Sequence, residues 1–337
     1  MGTQKKTFEK NGNYIKDIHN FIAKEQLIHH GSTVLLGLSG GPDSIFLLHV
    51  LVQYQKDTSF KLVAAHLDHE WRDNSAVDAQ FCQQTCEKLG VPLISQKMSE
   101  IKFDRKFDGS RESSARHIRR YYFESIIQNK AKAHIALAHH AQDQQETFFI
   151  RLLRGASLSG LTSMSMQDGL YIRPLLHIHK KDILEYLNTH NIAYLTDPTN
   201  KSNTFLRNRI RNHVIPALQK ADNRFDNNFA IMLKRLQDTE LFLQQLTAKT
   251  FKDLIQHKEG ASHINLNLNK LFALNRVMQH RVILYWLCTE QVSFVPTESL
   301  FNEILRFLKQ PGNNIHYVHS TWAINKKKQC AEIIFTP

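Results

Sequence analysis

The chain is poor in cysteine, with four in 337 residues, at positions 82, 86, 288 and 330. They are too few and too scattered for a disulfide scaffold. Cys82 and Cys86 are four apart on an expected helix and share a face. No second Cys or His pair stands at ligand spacing, so they are read as core packing rather than a metal site. No apolar run approaches membrane-spanning length, and the opening MGTQKKTFEKNGNY holds no apolar signal core; a soluble, cytoplasmic protein without membrane partners is expected. Internal repeats and low-complexity tracts are missing too. The dipeptide Gly-Lys occurs nowhere, which excludes the G-x-x-x-x-G-K-[ST] nucleotide loop.

Positive charge is abundant. Forty-three Lys and Arg stand against 31 Asp and Glu, a net +12 with 42% hydrophobic residues. The length suits two domains with real cores. The charge fits either a solvated basic surface or a polyanionic partner such as nucleic acid.

In the first two-thirds, apolar strands alternate with amphipathic helices. TVLLGLS (33–39), KLVAAHLDH (61–69), VPLISQKM (91–98) and HIALAHH (134–140) read as strands. Stretches 43–54, 75–90, 113–131, 143–155 and 179–191 read as helices. This rhythm predicts a parallel sheet covered on both faces, with ligands at the carboxyl ends of its strands. Those ends collect Ser39–Ser44, His66–His69, the start of the 113–131 helix and His139–Glu146. From about 218 helices dominate, and the tail from 314 reads as a short hairpin. The expected domains are 1–217, α/β with a parallel nucleotide-binding sheet, and 218–337, smaller and mainly helical.

GLSGGPDS (37–44) follows a strand and opens a helix. Backbone N–H groups and the positive helix end there suit an anion. Gly40 and Gly41 allow close approach, and Ser39 and Ser44 add hydroxyls. Asp43 at a phosphate site implies an intervening cation, Mg²⁺. The alternative is a tight turn with an Asp helix cap.

Ser39-Gly40-Gly41-Pro42-Asp43-Ser44 resembles the pyrophosphate loop of the N-type ATP pyrophosphatases. Further on, ESSARHIRRYYF (112–123), LAHHAQDQQETFFIRLLRGASLSGL (137–161), RPLL (173–176) and DPTNKSNTFLRNRIRNHVIP (197–216) resemble, in order, the motifs of tRNA(Ile)-lysidine synthetases. That resemblance implies ATP, Mg²⁺, L-lysine and a tRNA(Ile) with a CAU anticodon as cofactors and partners. It implies ATP contacts at residues 39–44 and His66, and catalytic or metal roles for Asp43 and Asp143. Arg116 is implied for the leaving group, and Arg72, Arg207, Arg209 and Arg211 for tRNA. Of Arg116, Arg119 and Arg120, one is expected to be structural. His69, His139, His140 and Glu146 are expected to line the site. Of His139 and His140, adjacent at a strand end, one faces the site and one packs. Glu146 serves either as a helix-start acid or at the lysine or tRNA site.

Three departures stand out. HEWR (69–72) replaces the family's His-Gly-Leu-Arg, so Glu70 meets strain if φ must be positive there. Gln142 stands where many members carry an acid. Many members also have a further C-terminal domain, longer than the remaining residues allow. Two rivals are weighed. A tRNA thiolase lacks support because no C-x-x-C pair exists. A non-catalytic RNA-binding protein sits poorly with Ser39, Asp43, Ser44, Arg116 and Asp143 occurring together. The sequence does not decide between monomer and homodimer.

Overall fold

The structure, a computed structural model, describes residues 14–70, 75–103, 111–162, 164–196, 205–256 and 264–335. The chain divides into two compact units, Met1–Ala230 and Ile231–Pro337.

The first unit runs α1 (Tyr14–Lys24), β1 (Thr33–Gly37), α2 (Pro42–Asp57), β2 (Lys61–Asp68), α3 (Ser75–Leu89), β3 (Leu93–Lys97), α4 (Arg111–Ile127), β4 (Ala133–Ala136), α5 (Ala141–Leu153), α6 (Leu158–Leu161), β5 (Gln167–Asp168), β6 (Tyr171–Ile172), α7 (Lys180–Thr189), α8 (Leu206–Arg209) and α9 (Ile215–Ala221). Its sheet has the order β3-β2-β1-β4-β6-β5. Val34 of β1 pairs in parallel with Leu62 on one side and His134 on the other. Only β5 is antiparallel, to β6.

Both faces of the sheet are covered, as unbroken apolar strands require. Val34, Leu36, Leu62 and Ala64 pack with α1, α2, α3 and α7 through Ile18, Ile22, Phe46, Leu47, Cys82, Cys86 and Leu187. Leu35, Val63 and Ala65 point the other way, onto Tyr122, Phe123 and Ile127 of α4. Cys82 and Cys86 are fully buried, and burial pushes their thiols up to about 12 and about 11.

Strand order reverses between β1 and β4: the chain goes outward through β2 and β3, then returns beside β1 on its other edge. Such a switch point leaves a crevice at the carboxyl ends of the two strands. The β1–α2 and β4–α5 turns open into it.

Glu70 lies beyond β2 with φ 53. The left-handed turn is thus kept without glycine, at a cost of about 1–2 kcal/mol. Two hydrogen bonds offset it: Glu70 N–H donates to Asp68 Oδ1 (2.8 Å), and Ser99 N–H donates to Glu70 Oε2 (2.8 Å). Trp71 and Arg72 lie outside the described residues.

In the second unit, α10 (Phe225–Leu254, beginning in the first unit) is followed by β7 (Ile255–Gln256), β8 (Asn265–Asn267), α11 (Leu268–Ala273), α12 (Arg276–Thr289), α13 (Glu298–Lys309), β9 (Asn314–His319), β10 (Trp322–Lys327) and β11 (Cys330–Phe335). The tail is therefore three strands rather than one hairpin, within an antiparallel sheet ordered β7-β8-β11-β10-β9. β7 and β8, of two and three residues, are too short to show alternation in sequence. Trp286, Ile304, Trp322 and Ile324 centre this core. Arg281 forks onto Glu240, Nη1 to Oε1 at 3.1 Å and Nη2 to Oε2 at 2.5 Å. Among the described residues no helix is long and apolar enough to cross a membrane.

Gly40 has φ +78, and a Cβ there would stand 2.7 Å from Leu195 Cδ1 and 3.3 Å from Cys82 Sγ. Gly40→Ala is expected to cost about 1–3 kcal/mol, from left-handed strain plus the displaced side chain. Thermal or denaturant unfolding measures it; an unchanged midpoint would show that the loop relaxes freely.

Candidate active site

The β1–α2 turn is self-braced. Ser39 N–H donates to Ser44 Oγ (3.2 Å), Ser44 Oγ donates to Gly41 O (3.0 Å), and the two hydroxyls lie 3.1 Å apart. Gly41 caps α2, and Pro42 takes the first helical position, where a missing N–H costs nothing. Asp43 and Ser44 follow in the first turn, whose N–H groups have no intrahelical acceptor. Gly40 O accepts from Leu195 N–H (2.9 Å), which pins the loop from outside.

His66 is buried on β2, its Nδ1 2.9 Å from Leu38 O and 3.6 Å from Cys82 Sγ. Its Nε2 is buried and has no hydrogen-bond partner among the described residues.

The β4–α5 turn supplies the opposite wall. His140 caps α5, and its N–H donates to Asp143 Oδ2 (2.9 Å). His140 Nε2 lies 3.7 Å from Asp43 Oδ1 and 3.6 Å from Asp143 Oδ2. One imidazole thus stands between the two carboxylates singled out from sequence. Asp143 is held below the usual carboxylate range: burial pushes it up, but His140, His139, Arg207 and the His140 N–H outweigh burial.

Each carboxylate has a cation. Lys180 Nζ sits 2.5 Å from Asp43 Oδ1. Arg207 reaches Asp143 (3.4 Å) and, through Nε, Glu146 Oε2 (2.7 Å). Arg211 forks onto Glu146, Nε to Oε1 at 2.5 Å and Nη2 to Oε2 at 3.0 Å. Glu146 is fully buried in the second turn of α5, so its carboxylate is an anchor for arginines, not a helix-start acid. Arg207 and Arg211, four apart, reach the same acid across a π-helical turn at Ile210–Val214 just before Pro216. Proline's missing N–H explains the widened turn. Arg209 is exposed on this segment.

Arg116 is exposed on α4. Arg151 and Arg173 both have lowered pKa values; burial is the first cause, and Arg116 contributes to each. Arg116 thus lies within electrostatic reach of both. Arg120 instead lies over the Tyr171 ring and pairs with Glu124.

Of His139 and His140, His140 is buried and faces both aspartates. His139 is half-buried, and its pKa is lowered to about 4, by burial first and then by Arg173, Arg207 and Arg119 against an opposing Asp143.

Sequence reading missed two contributors. Lys180 is one. Gln142 is the other: its Oε1 accepts from Lys180 N–H (2.9 Å), and its Nε2 lies 3.2 Å from His179 Nδ1. It ties α7 to α5 instead of facing the loop. One signal was available. Lys180 and Lys181 open α7, where the helix dipole disfavours cations, so a nearby anion was implied.

A strand-ending anion loop at a switch point, facing aspartates from β1–α2 and β4–α5, defines the class: a PP-loop nucleotide-binding domain. The family model described as a PP-loop domain matches residues 11–218. The chain is 27% identical over 328 residues to a tRNA(Ile)-lysidine synthase of Bacillus cereus, covering 94% of this chain and 69% of that one. It is 32% identical over 272 residues to the Bacillus licheniformis enzyme of that name, covering 79% and 57%. Among solved structures, the U34-tRNA thiolase NcsA from Methanococcus maripaludis, with its 4Fe-4S cluster, shares the fold. Its TM-score is 0.56 at 18% identity, over 66% of this chain and 78% of that one. The chain belongs to the tRNA(Ile)-lysidine synthase family of PP-loop proteins. In this chain Cys82 and Cys86 are buried in the sheet's core, and Cys288 and Cys330 belong to the second unit.

Three histidines of the first unit are drawn down to about 4: His69 by burial, then Arg119 and His66 against Asp68; His139 as above; and His177 by burial, then His179. Their folded pKa values lie below the unfolded value of about 6.5, so between those limits the unfolded chain binds more protons. Stability is full above about pH 6.5 and falls toward pH 4, by up to about 1.4 kcal/mol per pH unit for each histidine. The unfolding midpoint is expected to be flat from pH 8 to 7 and to drop between 6.5 and 5, with proton uptake in calorimetry. A flat midpoint down to pH 5 would mean that these imidazoles are charged in the fold.

Proposed function

We propose that the chain uses ATP to join L-lysine to C2 of cytidine 34 in the CAU anticodon of tRNA(Ile), in the cytoplasm. The observation that carries this is the pair Asp43 and Asp143 on either side of His140, at the mouth of a loop made of N–H and hydroxyl donors. It is supported by the naming of the relatives as tRNA(Ile)-lysidine synthases.

In the first step cytidine O2 attacks the α-phosphorus and pyrophosphate departs. Lysine's amine then attacks C2, the C2–O2 bond breaks, and AMP leaves carrying O2 as the amine gives up a proton. The Asp43 and Ser44 N–H groups and the Ser39 hydroxyl hold the pyrophosphate portion, while the Ser44 hydroxyl braces the turn. His66 contributes to nucleotide binding. Arg116 neutralises the departing phosphate. Glu146 keeps Arg207 and Arg211 at the site's edge, and these with Arg72 and Arg209 form the proposed tRNA-facing set.

Among the described residues no group of three or more His, Cys, Asp or Glu side chains could hold a metal. A site with two carboxylates nonetheless fits Mg²⁺, which takes one or two carboxylates and leaves its other positions to phosphate oxygens and water. Asp43 and Asp143 would hold it, and it would supply charge neutralisation on the triphosphate.

The purified chain is expected to incorporate labelled lysine into unmodified tRNA(Ile) bearing CAU, releasing AMP and pyrophosphate. AMP release with another nucleophile consumed and no lysine incorporated would defeat the assignment. Asp43→Ala is expected to abolish AMP release; retained release would move the chemistry off this loop. Arg209→Ala is expected to reduce the salt slope of tRNA binding by about one, and an unchanged slope would remove it from the tRNA surface.

A further inference from the structure

The loop has no lysine of its own, yet one lysine stands at it. We propose that Lys180, delivered from the N-terminus of α7, is the phosphate-binding lysine of this site, and that it neutralises Asp43 until a pyrophosphate group arrives. The inference deepens the reading of residues 39–44 as a pyrophosphate loop and rests on it.

Three features support it. First, the lysine's backbone is fixed relative to the site: Lys180 N–H donates to Gln142 Oε1 (2.9 Å), His179 Nδ1 lies 3.2 Å from Gln142 Nε2, and Ala141 N–H donates to Ile178 O (3.0 Å). The β4–α5 turn and the start of α7 are therefore tied together. Second, the ammonium is only partly covered, with its side chain 32% exposed, and so is Asp43 at 28%. A partly exposed structural pair stabilises weakly, which is little to set against placing a cation at a helix N-terminus. Third, Asp43 is a first-turn acid of α2 beside N–H groups suited to an anion. A phosphate entering there repels the carboxylate and attracts the ammonium, so the pair separates as the ligand binds. Lysine is suited to that exchange, being a compact charge on a flexible stem.

The test is calorimetry of inorganic pyrophosphate binding to the full-length chain, with EDTA present so that no divalent ion contributes. Lys180→Met is expected to weaken binding at least about tenfold, the loss of one charge-assisted hydrogen bond. Lys180→Arg should restore most of it. Asp43→Asn should act in the opposite direction, tightening binding about threefold or more, because it frees Lys180 and removes a like charge. A merely structural ion pair predicts that Lys180→Met and Asp43→Asn behave alike, and that result would overturn the inference. So would unchanged affinity in a folded Lys180→Met protein, its fold checked by thermal melting. If the wild-type chain binds no pyrophosphate either in EDTA or with Mg²⁺ supplied, the pyrophosphate-loop reading fails first and takes this inference with it.

Discussion

Glu146 carries a charge with no access to water, and the site is organised around that fact. A buried carboxylate left alone is too costly to persist, so the fold must bring cations to it. Arg207 and Arg211 fill that need from a segment more than 60 residues away in the chain. Their arrival fixes α8 and the following π turn against α5. It also places Arg207 where its second contact, to Asp143, becomes available. The same pairing rule is repeated with less burial at Asp43, where Lys180 stands in.

These pairs lie at the sheet's switch point because that is where chain ends converge. β1 and β4 are neighbours, yet about a hundred residues separate them, and each is followed by a helix whose first turn faces the other's. A short polar side chain in either first turn therefore reaches the shared crevice without any special loop. Asp43 sits one residue into α2, and Asp143 two residues into α5. His140 is near enough to both to couple them electrically.

Much of this was legible in the residues. Unbroken apolar strands such as TVLLG and LVAAHL, separated by helices, gave the parallel sheet, since only strands covered on two faces are written that way. The glycine-rich turn was legible because the backbone conformation it needs, φ +78 at Gly40, restricts residue choice. What escaped was set by tertiary partners. Lys180's place at a helix N-terminus implied an anion but not which one, because its acid lies 137 positions away. Gln142 read only as a replacement for an acid, whereas its amide works as a strut between helices. Glu146 gave no sign of burial, since nothing local distinguishes a surface glutamate from one awaiting two arginines. The three-stranded tail failed for another reason: its sheet is completed by two very short strands that carry no pattern.

A lysine inside a phosphate loop holds the phosphates before and after the reaction alike. A loop of N–H groups and hydroxyls has no such fixed charge, and its cations come from elements that can change partners. With Asp43 and Asp143 each already paired to a side-chain cation, a nucleotide does not enter a bare negative site, nor does a departing pyrophosphate leave one behind. On the proposed chemistry this matters, because the pyrophosphate formed in the first step has to leave for the site to turn over. The charge balance of the free site is then part of turnover: the closer the empty site comes to neutrality, the less it holds back the group that has to leave.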